Sequence, residues 1–81
     1  MGTREGTMQI EYDMGRVLRA IRRYQAAAGY PPTQRELQRL TGFYSNKVCW
    51  LVCLLDADGY IARRPRSPRG IRLLARGRHD A

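Results

Sequence analysis

The chain has little of what most enzymes and exported proteins need. Its one histidine, His79, stands near the C-terminus, and its seven acids are scattered, among them Glu11, Asp13, Glu36, Asp56 and Asp58. There is no glycine-rich loop to cradle a phosphate, so no catalytic constellation can be assembled and no enzyme is expected. Cysteine is limited to Cys49 and Cys53, four positions apart. On one helix they share a face, where disulfide geometry is awkward. Zinc could use them only as half of a four-cysteine site shared by two chains. Free thiols, no cofactor and a reducing cytoplasmic setting are therefore expected. Long apolar runs are also missing. Met8, Ile10 and Met14 are too scattered for the core of a signal peptide. The longest run, Val48 to Leu55, has eight residues, against the roughly 20 that a membrane span requires. No membrane partner is expected.

What the chain has in excess is positive charge. Lys and Arg number 15 against 7 acids, a formal net charge of +8, and fourteen of the cations are Arg. From Tyr60 onward Arg63, Arg64, Arg66, Arg69, Arg72, Arg76 and Arg78 are accompanied by one acid, Asp80. Concentration in one segment predicts a polyanionic partner, nucleic acid ahead of a membrane surface. The plainer alternative is an arginine-rich surface that is merely solvated.

Eighty-one residues suit one small domain with a modest core. Residues 1–7 lack periodicity and read as a flexible N-terminal tail. From Met8, the positions Ile10, Met14, Val17, Leu18, Ile21, Tyr24 and Ala28 keep helical spacing, with Arg16, Arg19 and Arg23 on the opposite face. Gly29 stops this helix and Tyr30-Pro31-Pro32 forms a stiff extended connection. Thr33-Gln34-Arg35-Glu36 then reads as a capping box. It opens a short helix that turns Leu37 and Leu40 inward and breaks at Thr41-Gly42. A third helix follows the turn at Phe43 and Tyr44, with Ser45 or Tyr44 before it and Ser the better cap by chemistry, and Gly59 ends it. Beyond Gly59 the apolar period becomes two. Residues 60–64 and 71–74 read as strands joined by a turn that carries Pro65 and Pro68. The expected fold is α+β and mostly helical: a winged helix-turn-helix over residues 8–75, three helices followed by a two-stranded β-hairpin wing. Residues 76–81 read as a frayed basic tail.

Three segments, "GYPPTQREL", "TGFYSNKV" and "LLDADGYIARRPRSPRGIRLL", together resemble the DNA-binding domain of LexA-type repressors. The likeness covers roughly residues 15–74 and rests on Gly29 to Thr33, Arg35-Glu36-Leu37, Gly59-Tyr60-Ile61 and Pro68 to Ile71. It extends to none of that family's self-cleavage and dimerisation domain. The resemblance implies a double-stranded DNA partner, a third helix in the major groove, and base contacts from its first residues, Tyr44, Ser45, Asn46 and Lys47. Their chemistry suits that task. Asn can bond adenine bidentately, Lys can reach guanine, and Ser can bond a base or a phosphate. An ordinary polar helix start is the plain alternative. Thr33, Gln34 and Arg35, at the start of the second helix, join the candidate DNA contacts. So do Arg63, Arg64, Arg66 and Arg69 of the wing, where proline stiffness would lower the entropy lost on a phosphate backbone. A solvated charged hairpin is the alternative there.

The third helix poses a problem. Val48, Leu51, Val52 and Leu55 form one helical stripe for the core, which leaves Cys49, Trp50, Cys53 and Leu54 over. Three placements are open for Trp50 and its neighbours: under the first helix or the wing, at a homodimer or partner-protein interface, or against thymine methyls in the groove. The expected function is a small sequence-specific DNA-binding transcriptional regulator. The alternative is a protein-interaction adaptor, or an accessory protein of a phage or mobile element, docking through this apolar face.

Overall fold

Val17, Leu18 and Ile21 recur at three- and four-residue spacing and are all buried, so the first helix is held against the rest of the chain by one apolar stripe. The computed structural model describes residues 3–64, 66–67 and 69–79. Pro65 and Pro68 of the expected wing tip lie outside the described residues. The elements are α1 (Thr3–Ala28), α2 (Gln34–Thr41), α3 (Ser45–Ala57), β1 (Ile61–Arg63), β2 (Ile71–Leu73) and α4 (Ala75–His79). Three helices followed by an antiparallel hairpin make a winged helix-turn-helix, the expected fold class.

Leu37 of α2, the stripe Val48, Leu51, Val52 and Leu55 of α3, and Ile61, Ile71 and Leu73 of the hairpin complete the core. Strands β1 and β2 pair Ile61 with Leu73, Ala62 with Arg72 and Arg63 with Ile71. This register turns Ile61, Ile71 and Leu73 inward, so the hairpin closes the core beneath α3.

The capping box forms as expected. Glu36 N–H donates to Thr33 Oγ1 at 3.1 Å, and Thr33 N–H donates to Glu36 Oε1 at 2.8 Å. At the other end of α2, Gly42 takes φ 80° and its N–H bonds the Gln38 carbonyl. That left-handed conformation carries a penalty for any residue with a Cβ. The chain then reaches α3 after only Phe43 and Tyr44.

Four expectations change. Backbone helix begins at Thr3, ahead of the apolar periodicity at Met8; Gly6 disfavours helix by about 1 kcal/mol relative to Ala, but a helix already nucleated on its buried stripe can extend past it. Leu40 is 53% exposed. Thr41 takes the inward position one turn after Leu37, its hydroxyl donating to the Leu37 carbonyl at 2.7 Å. Ser45 is not the cap of α3: Tyr44 occupies that position and makes no side-chain cap bond. Residues 76–79, read as part of a basic tail, form α4 together with Ala75. Leu74 N–H bonds the Tyr60 carbonyl at 3.0 Å. Arg76 donates to the Asp58 carbonyl at 2.8 Å and lies 4.4 Å over the Tyr60 ring. Period-two and helical patterns both fail in so short an element, which is why it escaped the sequence.

Gly77 makes the docking of α4 possible, because a Cβ there would collide with the Tyr60 carbonyl and meet Leu73 Cδ2 at 3.2 Å. In a free helix, Gly→Ala stabilises by about 1 kcal/mol. Here the close approach reverses the sign. Gly77→Ala is expected to lower stability by about 1–3 kcal/mol, read as a lower urea midpoint. Hydrogen exchange at the Arg78 amide, which bonds the Leu74 carbonyl, should become faster.

Candidate nucleic-acid interface

With its buried stripe facing α1 and the hairpin, α3 turns Asn46, Cys49 and Trp50 to solvent, with Cys53 half-buried beside them. Trp50 is 48% exposed, so the placement of its ring under the first helix or the wing is overturned. Leu54 differs from the other apolar residues left over: it is half-buried and packs against the core. At the N-terminus, neither a capping side chain nor an acidic residue occupies the first turn. The N–H groups there and the positive end of the helix dipole are thus left open to an anion. Tyr44, 84% exposed, and the exposed Ser45 and Asn46 stand at this end.

Lys47 is placed differently from its neighbours. Its Nζ lies 2.9 Å from Oδ2 of Asp13, a carboxylate 3% exposed on α1, and 4.4 Å from the centre of the Phe43 ring. Gln9 Nε2 donates to the other Asp13 oxygen at 3.0 Å. Arg16 approaches the same Phe43 ring at 4.6 Å, and its Nη2 donates to the Thr41 carbonyl at 2.6 Å. That cation at the end of α2 meets carbonyls with no partner inside the helix. Thus two side chains that sequence alone assigns to the surface or to a base, Arg16 and Lys47, tie α1 to the helix-turn-helix.

The wing cations also divide. Arg69 reaches the carboxylate of Glu36 through Nη1 at 2.9 Å and Nη2 at 3.3 Å. It also donates to the Pro31 carbonyl at 2.9 Å and lies 4.5 Å over the Tyr30 ring. The phenol of Tyr24 donates to Glu36 at 2.7 Å. Arg69 is therefore committed within the chain, where the sequence suggested a phosphate contact. Arg63 Nε lies 3.6 Å from the Asp56 carboxylate. Among the described residues, the side chains of Arg35, Arg64 and Arg66 have no such partner. A groove of about 420 Å³ separates the start of α2, at Thr33 and Gln34, from Arg63, Arg64, Arg66 and Ser67 of the wing. Thr33 Oγ1 is occupied by the cap, while Arg35 is exposed beside the groove's α2 wall. Among the described residues, no group of three or more metal-ligating side chains is assembled, and no helix is long and apolar enough to cross a membrane.

Sequence reasoning found Glu36 as a cap and missed its other partners, since Arg69 is 33 residues away and no local signal joins them. The Thr33 N–H, Arg69 and Tyr24 hydrogen bonds hold the Glu36 carboxyl down at about 2, from an ordinary 4.5. The same bond pushes the Tyr24 phenol up, and the Glu36 carboxylate pushes Arg69 up.

Two outcomes follow from this geometry. Because the folded pKa of Glu36 is depressed, its contribution is complete above about pH 4.5 and is lost as pH falls towards 2. The stability advantage of wild type over Glu36→Gln should shrink across that window when both are titrated by chemical denaturation. Lys47→Ala, by stranding a buried carboxylate, is expected to cost about 1–3 kcal/mol. Asn46→Ala, at an exposed position, should stay within about 0.5 kcal/mol of wild type in the same urea titration.

Comparison with known proteins agrees with this architecture. The family described as LexA DNA binding domain matches residues 14–70, from the middle of α1 to the end of the wing turn just before β2. A LexA repressor from Cellvibrio japonicus (strain Ueda107) is 41% identical over 58 residues, which cover 70% of this chain. The matched stretch spans only 29% of that relative's length. The three helices, the capped turn after Pro32 and the hairpin all fall within or against the matched residues, and the chain belongs to the LexA DNA-binding domain family.

Proposed function

We propose that the chain is a sequence-specific regulator of transcription that binds double-stranded DNA, with α3 in the major groove and the wing on the phosphate backbone. The observation that carries this reading is the open N-terminus of α3. Its first turn has no cap side chain and no acid, and it presents Ser45 and Asn46 to solvent. A helix end of this kind attracts phosphate, and an outward Asn has a donor for the N7 and an acceptor for the N6–H that adenine presents in the major groove. The family name and the repressor relative support the same reading.

The roles divide by which side chains remain free. Asn46, with Ser45 and Tyr44, is the base- and sugar-contacting group. Arg64 and Arg66 reach the backbone from the wing, and Gln34 and Arg35 do so from the start of α2, across the intervening groove. Lys47 acts indirectly, by fixing the first turn of α3 against Asp13. Arg69 positions the wing through Glu36. Cations on phosphates supply affinity that falls with salt, and the short polar end of α3 supplies preference among sequences.

Arg66 provides a test that separates folding from binding. It is a non-glycine residue at φ 67°, a conformation that costs about 1 kcal/mol for a residue with a Cβ. Arg66→Gly is expected to leave stability unchanged or raise it. In duplex titrations over a range of salt, the same variant should bind severalfold more weakly, its log–log slope shallower by about 0.9. Asn46→Ala should narrow the gap between a selected site and random duplex while keeping the wild-type salt slope. If wild type shows no duplex binding even at low salt, the proposed function fails.

A further inference from the structure

The outward face of α3 is unusual for a surface that is to meet base edges. Asn46, Cys49, Trp50, Cys53 and Ala57 lie along it at helical spacing, and none of them carries charge. Beyond Asn46, this stripe offers a base only the indole N–H and two weak thiol donors. The hydrogen-bond code of the groove is thus read at one end of the helix, and the second turn presents apolar surface. Trp50 is the chain's one tryptophan, and half of its surface is exposed.

The surroundings select what covers it. Arg64 and Arg66 of the wing and Arg35 of α2 have no partner among the described residues, and the chain's net charge is +8. Two copies meeting face to face would bring these cations together, whereas a duplex brings phosphates to them. In the major groove the apolar feature a base pair offers is the C5-methyl of thymine. Facing a G·C pair, the ring would find no methyl and would cover polar edges that lose water, its single N–H answering at most one of them.

We infer that Trp50, with Cys49 beside it, reads thymine methyl groups in the major groove and so selects A·T pairs near the adenine held by Asn46. The inference rests on the DNA-binding reading and names its specificity. Four residues of helix rise about 6 Å, or about two base steps of 3.4 Å. The methyl contact therefore falls about two base pairs from the Asn46 contact.

The test selects a duplex from a random pool with the full chain, then replaces each thymine singly with deoxyuridine. That change removes one methyl and leaves phosphate charge and hydrogen-bonding groups intact. At one or two positions near the Asn46 contact, wild-type affinity should fall about fourfold, the equivalent of one buried methyl. In Trp50→Ala the same replacements should have no further effect, and the fluorescence of Trp50 should shift on binding the thymine duplex. Since the deoxyuridine series uses wild-type protein, poor folding of the variant cannot mask the answer. Tight binding without methyl dependence at any position overturns this inference and leaves the proposed function standing. Loss of all duplex binding removes both. A DNA-free dimer in sedimentation that Trp50→Ala dissociates also overturns it, assigning the face to a second copy.

Discussion

The carboxylate of Glu36 is the point at which three parts of the molecule meet. It accepts from the Thr33 N–H at the start of α2, from the Tyr24 phenol of α1, and from Arg69 of the wing. A charged acceptor with donors converging on it gives stronger bonds than neutral pairs, and the paired contact from one guanidinium also fixes direction. The hairpin is short, three residues in each strand, and strand pairing alone would leave it free to tilt. Anchoring through Glu36, with the buried Ile61, Ile71 and Leu73 below, sets the span of the groove between α2 and the wing. The spacing of any backbone contacts made across that groove depends on the same anchor.

Asp13 and Lys47 do for α3 what Glu36 and Arg69 do for the wing. A buried carboxylate is costly to leave alone, so its pairing with Lys47 opposes rotation of the first turn of α3. Phe43, approached by both Arg16 and Lys47, fills the corner between the three helices. The two ionic links share a consequence: each uses a cation that would otherwise count towards the attractive surface. Among the described residues, the cations without an ion pair include Arg19 and Arg23 of α1, Arg39 of α2 and Arg72 of β2, and a further set borders the groove. Arg35 stands at the start of α2, and Arg64 and Arg66 lie across the groove on the wing.

The apolar run from Val48 to Leu55 divides along the helical period. Val48, Leu51, Val52 and Leu55 are buried, and Leu54 packs at the margin of the core. Cys49 and Trp50 point out along the line of Asn46. The helix is held by one apolar face and exposes a second, smaller one. Apolar surface left open on a helix whose neighbours carry unpaired cations is suited to an anionic partner that has apolar features of its own, and the major groove of A·T-rich DNA is such a partner.

Helix periods, the Thr33–Glu36 cap, the glycine stops and the shift to period two after Gly59 were all legible along the chain, because each arises from interactions within about five residues. They were enough for the fold class, for the inward stripe of α3 and for the polar start of that helix. Leu40 and Ser45 were misread because a helix of eight residues, or a cap with two adjacent candidates, gives local pattern too little length to decide. The docking of α4 depends on a glycine meeting a carbonyl 17 positions back in sequence. The pairings of Arg69 with Glu36 and Lys47 with Asp13 join residues more than thirty positions apart. An arginine or lysine looks the same in sequence whether it faces solvent or a carboxylate, and only the packing of distant elements brings the acid within reach. The sequence alone therefore determined the fold and the chain's excess of positive charge. Tertiary structure decided which cations are paired within the chain, and that Trp50 faces outward.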